Sequence, residues 1–296
     1  MRETASPLLS HMTTLRLGGR AIAELTLEGE ADLEALPERL KRLGGSPYIV
    51  GAGSNILAAD EELPLVIIRP LLRHGPEIVG SDAGKILVRA GAGVPLPRLL
   101  RFCAEKGLGG LEGLTGIPGS VGGAVAMNAG SFGTETCRNV ERMLVFSSSG
   151  ILRIEADQLR YGYRKLSIAG VEENFMVLEA IFGLTEAPRD GILDRMSFNF
   201  LQKKSRQPVT AKSAGCVFKY PSPEMPAGKL LEMAGFRGKT LGGMAFSSIH
   251  ANFLVNAAHG TASAAFDLLH EARETVRERF GITLEPEVRI IPCRCF

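Results

Sequence analysis

Two glycine-dense tracts are the first places in this sequence where residue types and spacing could do chemistry. Val50-Gly51-Ala52-Gly53-Ser54-Asn55 follows a short apolar run, Pro47 to Val50. Glycine lets backbone N–H groups turn toward an anion, and Ser54 and Asn55 add side-chain donors. Alone, such a segment is either an anion cradle or an ordinary tight turn. The second tract is Gly116-Ile117-Pro118-Gly119-Ser120-Val121-Gly122-Gly123-Ala124. Its glycines and proline precede small helix-compatible residues. That is how a chain brings a helix N-terminus, with free N–H groups and the positive end of the dipole, to a pyrophosphate. Met127-Asn128-Ala129-Gly130 closes the tract with a side-chain amide and a further glycine. Two anion cradles in one domain imply an extended diphosphate ligand such as a dinucleotide cofactor. Neither is a Rossmann fingerprint: Ile56 stands where the third glycine of G-x-G-x-x-G would follow Gly51, and Leu96 where it would follow Gly91. A Walker lysine motif is also missing.

Positioning these tracts requires intermixed strands and helices. Leu33, Leu36, Leu40 and Leu43 recur at helical spacing, and Gly44-Gly45 stops the run. Strands are expected at Pro47 to Val50, Leu65 to Ile68, and from Lys85 into Gly91-Ala92-Gly93. Pro95 to Lys106 reads as a helix, with Pro97 in its first turn and Leu99, Leu100 and Cys103 on its apolar face. Further strand-like segments, RMLVFSSSGILRI and ENFMVLEAIFGL, carry Ser-Gly and Ala-Gly turn chemistry that suggests antiparallel hairpins. The polar break from Glu186 to Arg195 is the expected boundary, giving domains 1–187 and 188–296. Beyond it lie a basic stretch, a short strand CVFKYP and a helix from Gly228 to Ala234. A strand NFLVN follows, then an amphipathic helix from about Thr261 to Phe280, capped by Thr261 or Ser263. ITLEPEVRII reads as a last strand.

The whole-chain arithmetic excludes several function classes. Glycine is 35 of 296 residues, well above the usual ~7%. Hydrophobic residues at 45% and charged residues at 22% exclude disorder as the main state. A net charge of +2 and 6% aromatics with no Trp argue against a nucleic-acid partner. Cys103, Cys137, Cys216, Cys293 and Cys295 form neither a disulfide framework nor a zinc pattern, and free thiols fit a reducing compartment. No run approaches the ~18 apolar residues of a membrane span, and the first ten residues lack the pattern of an export signal. The expectation is a cytoplasmic protein without a membrane partner.

At this point the residues carry a family resemblance. GAGSN at 51–55 and GLEGLTGIPGSVGGAVAMNAG at 110–130 are followed by Tyr163-Arg164, Arg206-Gln207-Pro208 and SAGCVFK at 213–219. Ala227-Gly228-Lys229-Leu230, HANF at 250–253 and LEPEVR at 284–289 complete the set. In this order, from about Thr14 to Arg289, they resemble the UDP-N-acetylenolpyruvoylglucosamine reductases, in the short subtype lacking an extra substrate-covering loop. The resemblance implies an α+β fold: a two-lobed FAD-binding domain of the vanillyl-alcohol oxidase type, then a smaller α+β substrate domain. It implies non-covalent FAD held by Gly51, Ala52, Gly53, Ser54, Asn55, Gly116, Ile117, Pro118, Gly119, Ser120, Gly122, Gly123, Ala124 and Asn128. NADPH is the implied co-substrate and UDP-N-acetylglucosamine enolpyruvate the implied substrate, reduced to UDP-N-acetylmuramate for peptidoglycan.

The implied reaction passes hydride from flavin N5 to C3 of the enolpyruvyl ether and a proton to C2. Arg164 matches the catalytic arginine, whose guanidinium can clamp a carboxylate and hold developing enolate charge. Cys216 stands at the proton-donor position, commonly a serine, and a thiol is intrinsically the easier donor. Glu287 matches the catalytic glutamate, and Glu285 would share its face in a strand. Tyr163, Lys219 and Lys229 are the implied substrate contacts, with the lysines meeting the diphosphate. Leu166 and Tyr220 depart from the usual Ser and Asn. His250 is either a ligand contact or a structural imidazole. A monomer is expected. Two other classes compete: a flavin oxidase with covalent FAD, for which the flavin loops offer no histidine, and a non-catalytic nucleotide module, which would not need Arg164, Cys216 and Glu287.

Overall fold

The computed structural model describes residues 1–222 and 224–292; Cys293 and Cys295 lie outside these residues. Helices α1 (Glu30–Leu43), α2 (Leu96–Glu105), α3 (Val121–Ala126), α4 (Arg189–Arg206), α5 (Ala227–Met233) and α6 (Ala262–Phe280) alternate with short strands. The α+β character expected from the sequence is therefore present. The chain falls into two compact units: Met1–Thr4, Glu24–Ala52 and Val66–Gln202 form one, and Ala5–Ala23, Gly53–Leu65 and Lys203–Phe296 form the other.

The first unit is organised by an antiparallel sheet in the order Gly150–Glu155, Val140–Ser147, Met176–Glu186, Lys85–Gly91, Glu77–Asp82. Met176–Glu186 is one continuous central strand, and Leu108–Gly109 pairs with its far end. Alternation sends Ala180, Phe182 and Leu184 inward, where they meet Val88, Met143 and Val145. Helix α2 packs on this core because Leu96, Leu99, Leu100, Cys103 and Ala104 share a face, and prolines at its start pre-set φ. Burying each of its leucines contributes roughly 2 kcal/mol. Helix α1 covers the expected leucine run and ends at Gly44, whose left-handed φ of 67° only glycine adopts cheaply.

The polar stretch from Glu186 to Arg195 leads into α4, which begins at Arg189. Pro188 offers its carbonyl to Ile192 N–H, and Ile192 is buried. Arg195 forks onto Glu112 at 2.7 and 3.1 Å, and Asn199 Nδ2 donates to the Glu112 carbonyl at 3.0 Å. These links hold the first part of α4 in the first unit. The two compact units part within α4, between Gln202 and Lys203.

The second unit has an antiparallel sheet in the order Ser213–Cys216, Phe253–Asn256, Met244–Phe246, Thr240–Leu241. Helix α6 packs against it, with Thr261 accepting from Ala264 N–H at its start and Gly281 left-handed at its end. Two N-terminal segments join this unit. Thr14 Oγ1 donates to the Ser213 carbonyl at 2.6 Å, and Asn256 Nδ2 to the Leu15 carbonyl at 3.2 Å. Strand Arg289–Ile291 runs parallel to Ile56–Ala58. The long last strand expected from ITLEPEVRII shortens to Arg289–Ile291, because Pro286 makes only an isolated bridge to Phe218.

Candidate active site

The two glycine tracts meet inside the first unit. A Cβ placed on Gly51 would lie 2.7 Å from Ser120 Oγ and 3.8 Å from Gly123 Cα. Gly122 is pressed on Ala92, where an added Cβ would come within 2.7 Å of the Ala92 Cβ. The approach at Gly122 requires glycine, and the one at Gly51 favours it. Leu96 N–H donates to the Gly119 carbonyl, and Val121 N–H and Gly122 N–H donate to the Val94 and Ala92 carbonyls at 2.9 Å. The first N–H groups of α3 are therefore already spent, and Gly123 N–H points at Ser120 Oγ at 3.4 Å. This differs from the free helix N-terminus expected from the sequence. The donors available to a ligand lie in the loops instead. The N–H groups of Gly51, Ala52, Gly116, Gly119 and Ser120 have no hydrogen-bond acceptor among the described residues. Successive unspent N–H groups facing a surface are a nest for an anion. Ile117, Pro118 and Ala124 shape this loop and the short helix behind it.

Gly53, Ser54 and Asn55 belong to the second unit. Gly53 is left-handed, φ 67°, and its α-carbon packs so closely on the Met12 carbonyl that any Cβ would collide with it. Asn55 Nδ2 donates to the Glu287 carbonyl at 3.2 Å, and the Asn55 carbonyl accepts from Arg289 N–H at 2.9 Å. The end of the first tract is thus tied to the segment that carries Glu287.

Cys216 and Glu287 come together through Val217. The Val217 carbonyl accepts from Glu287 N–H at 2.8 Å, and Cys216 pairs with Phe253 just after a strand irregularity between Ser213 and Cys216 that contains left-handed Gly215. Asn252, fully buried, fixes this ledge with both ends of its amide. Its Oδ1 accepts from Phe218 N–H at 3.0 Å and its Nδ2 donates to the Phe218 carbonyl at 2.8 Å. Sequence reasoning singled out His250 in HANF and missed Asn252; a buried amide leaves no pattern in one sequence. His250 packs edge-on against Phe253 at 5.0 Å, and its Nδ1 accepts from Asn252 N–H. Burial, with Arg237 nearby, lowers its pKa.

Glu285 and Glu287 lie in different surroundings. Glu285 is exposed and pairs with Lys219 at 3.2 Å, whereas Glu287 is half-buried. Lys229 is exposed in the first turn of α5. Cys216 is half-buried, unlike Cys103 and Cys137, whose thiols burial pushes up to about 12.

Arg164 belongs to the first unit. It sits at the tip of the hairpin Leu159–Gly162 and Lys165–Ile168, in a left-handed conformation, φ 55°. Such backbone costs a non-glycine residue about 1–2 kcal/mol and gathers at functional sites. Its guanidinium lies over the Tyr163 ring at 4.9 Å, and its Nη2 donates to the Gly130 carbonyl at 3.2 Å. Asn128, expected among the cofactor contacts, is buried, and its amide engages Gly162 and Cys137.

Comparison with known proteins agrees with this geometry. Residues 23–154 match an FAD-binding domain family. With the paired donor loops, this defines a flavin-dependent oxidoreductase of α+β architecture. Residues 207–291 match the C-terminal domain of UDP-N-acetylenolpyruvoylglucosamine reductase. The chain is 49% identical to the protein of that name from Nitratidesulfovibrio vulgaris, over 98% of this chain and 99% of the other. It is 48% identical to the one from Oleidesulfovibrio alaskensis, over 97% of each. A crystal structure of the enzyme from Thermus caldophilus superimposes with a TM-score of 0.81 at 34% identity, covering 99% of this chain and 100% of that one. The chain belongs to the UDP-N-acetylenolpyruvoylglucosamine reductase family.

The residues fit an FAD. Gly122 has no room for a side chain, Gly51 gains room only if the Ser120 hydroxyl turns away, and the loop donors around them are unspent. Among the described residues, no cluster of three or more metal-ligating side chains occurs, and no helix is long and apolar enough to cross a membrane.

Proposed function

We propose that this protein uses NADPH and non-covalent FAD to reduce the enolpyruvyl group of UDP-N-acetylglucosamine enolpyruvate, giving UDP-N-acetylmuramate. The observation that carries the reading is the end-to-end match to the Nitratidesulfovibrio vulgaris reductase. The convergence of Gly51 on Ser120 supports the cofactor. When bound, the flavin supplies two-electron hydride chemistry between NADPH and the alkene.

The chain's own residues supply the rest. The Arg164 guanidinium grips the enolpyruvyl carboxylate and holds the negative charge that grows on it as C3 gains hydride. Its cation–π contact with Tyr163 keeps the planar group oriented before substrate arrives. Cys216 then delivers its Sγ proton to C2, which completes the saturation, and takes a proton back from solvent afterwards. Glu287 shares the Val217 ledge with Cys216 and orients the donor. Lys219 and Lys229 meet the diphosphate. The pair Lys219–Glu285 is exposed and contributes little, so Lys219 exchanges Glu285 for phosphate oxygens at small cost. Every residue in these roles comes from one chain, so a monomer suffices. NADPH and a nucleotide sugar are both intracellular, which supports a cytoplasmic location. The FAD domain and the substrate domain correspond in this reading to 1–187 and 188–296, with Ala5–Ala23 and Gly53–Leu65 packing in the second compact unit.

The test is spectroscopic. The purified protein is yellow, anaerobic NADPH bleaches it, and the enolpyruvyl sugar nucleotide restores the colour. Colourless protein that refuses added FAD, or bleached protein that the sugar nucleotide cannot reoxidise, overturns the reading.

A further inference from the structure

The turn that presents Arg164 is braced from the end of the cofactor tract. Asn128 follows α3 by two positions, and its backbone is left-handed, φ 39°, a conformation Asn tolerates better than most residues. Its N–H donates to the Val125 carbonyl at 3.0 Å, which ties it to the helix. Its side chain is 1% exposed. The amide Nδ2 donates to the Gly162 carbonyl at 2.9 Å, and Oδ1 accepts from Cys137 N–H at 3.0 Å. Gly162 is the last hairpin residue before Tyr163-Arg164. Two residues beyond Asn128, the Gly130 carbonyl accepts from Arg164 Nη2. The intervening Ala129 carbonyl accepts from Thr136 N–H at 2.9 Å and from Thr136 Oγ1 at 2.6 Å. Residues 128–137 therefore form a closed brace. One side is fixed to α3; the other holds the base of the Arg164 turn and the arginine itself.

We propose that Asn128 is a positioning residue for Arg164, linking the helix behind the flavin loop to the substrate-gripping guanidinium, rather than a cofactor contact. The proposal rests on the reading that Arg164 grips the substrate carboxylate. Asparagine suits the place because one short side chain both donates to Gly162 and accepts from Cys137. An aspartate would keep the acceptor but set a second oxygen against the Gly162 carbonyl. A glycine would keep the left-handed backbone and remove the link. The left-handed Arg164 backbone would otherwise relax, because nothing intrinsic to arginine favours it.

Asn128→Asp and Asn128→Gly test this in the holoenzyme, alone and combined with Arg164→Lys. Both variants keep stoichiometric FAD and are bleached by NADPH at rates within about twofold of the parent, because α3 and its loop are untouched. Reoxidation by the enolpyruvyl sugar nucleotide slows by about tenfold or more, the scale of one lost buried hydrogen bond. In the Arg164→Lys background the same changes cost less than about twofold, since the geometry they protect is already lost. Amide hydrogen exchange over residues 159–168 accelerates in both variants. Loss of FAD from a folded variant, equal losses in the two backgrounds, or unchanged exchange in the hairpin each overturns the proposal. If the parent protein itself is not reoxidised by the sugar nucleotide, the functional reading fails, and the Arg164 role falls with it. Hairpin exchange in the variants still reports the brace separately.

Discussion

Gly51→Ala gives a sharp test of how the cofactor cradle is built. The Cβ that alanine adds would lie 2.7 Å from Ser120 Oγ, too close for either atom to stay. Its next neighbours, Gly123 Cα and N, are at 3.8 and 3.9 Å, ordinary contact distances. The only obstruction is therefore a hydroxyl that can rotate away. Rotating it removes the acceptor for Gly123 N–H at the start of α3. Losing an N-cap hydrogen bond costs ~1 kcal/mol, and residual crowding adds about as much again. Because the cap orders the loop whose N–H groups are unspent, the loss should appear in FAD affinity. About 1–2 kcal/mol corresponds to roughly five- to thirtyfold weaker binding. Ser120→Ala loses the cap alone and weakens binding about fivefold. The double variant has no hydroxyl to displace, so it should match Ser120→Ala rather than the product of the two effects. Fluorescence titration of the apoprotein with FAD measures all three constants. Unaltered affinity in Gly51→Ala, or strictly additive losses in the double variant, would refute this account of the convergence.

Cys216→Ala leaves flavin bleaching by NADPH intact and slows reoxidation by the sugar nucleotide by about a hundredfold or more; stopped-flow absorbance separates the two steps. Asn252→Ala strips both amide hydrogen bonds from buried Phe218 and should destabilise the fold by about 2–4 kcal/mol in urea titration. His250 titrates below its ordinary 6.5 because burial disfavours its charged form. The unfolded chain therefore binds the extra proton first as pH drops below 6.5, so this contribution is full above 6.5 and lost as pH falls toward the folded value. His250→Gln should show a shallower decline in thermal midpoint from pH 7.5 to 5.5 than the parent, and equal slopes would count against it.

Much of the local structure was legible because local physics decides it. The leucine spacing of α1 and the proline-led start of α2 stand where the sequence puts them, and of the two cap candidates for α6, Thr261 and Ser263, it is Thr261 that caps. Helix α4 was not legible. Phe198, Phe200 and Leu201 are exposed on it, so its apolar residues do not mark its buried face. Its anchor, Glu112, comes from a distant loop. The packing of N-terminal segments with C-terminal elements was hidden for a similar reason: Thr14, Leu15 and Asn55 join them through side-chain and strand contacts with no local signature. The glycine tracts signalled a cradle, yet the amides left without an acceptor among the described residues lie in the loops, because Val94 and Ala92 consume the first N–H groups of α3. Glu285 and Glu287 were indistinguishable by periodicity. In the structure Glu285 is exposed beside Lys219, whereas Glu287 is half-buried with its N–H bonded to the Val217 carbonyl.

The parallel pairing of Arg289–Ile291 with Ile56–Ala58 sets an order of events during synthesis. Asn55 and the Glu287 carbonyl, 232 positions apart, bond beside it. While the ribosome still holds the tail, residues 53–65 wait without the strand that completes them. Closing so long a loop is slow compared with helix and hairpin formation. The half that carries Cys216 and Glu287 therefore matures last. Limited proteolysis of stalled nascent chains should find that stretch cleavable until the final strand has cleared the exit tunnel.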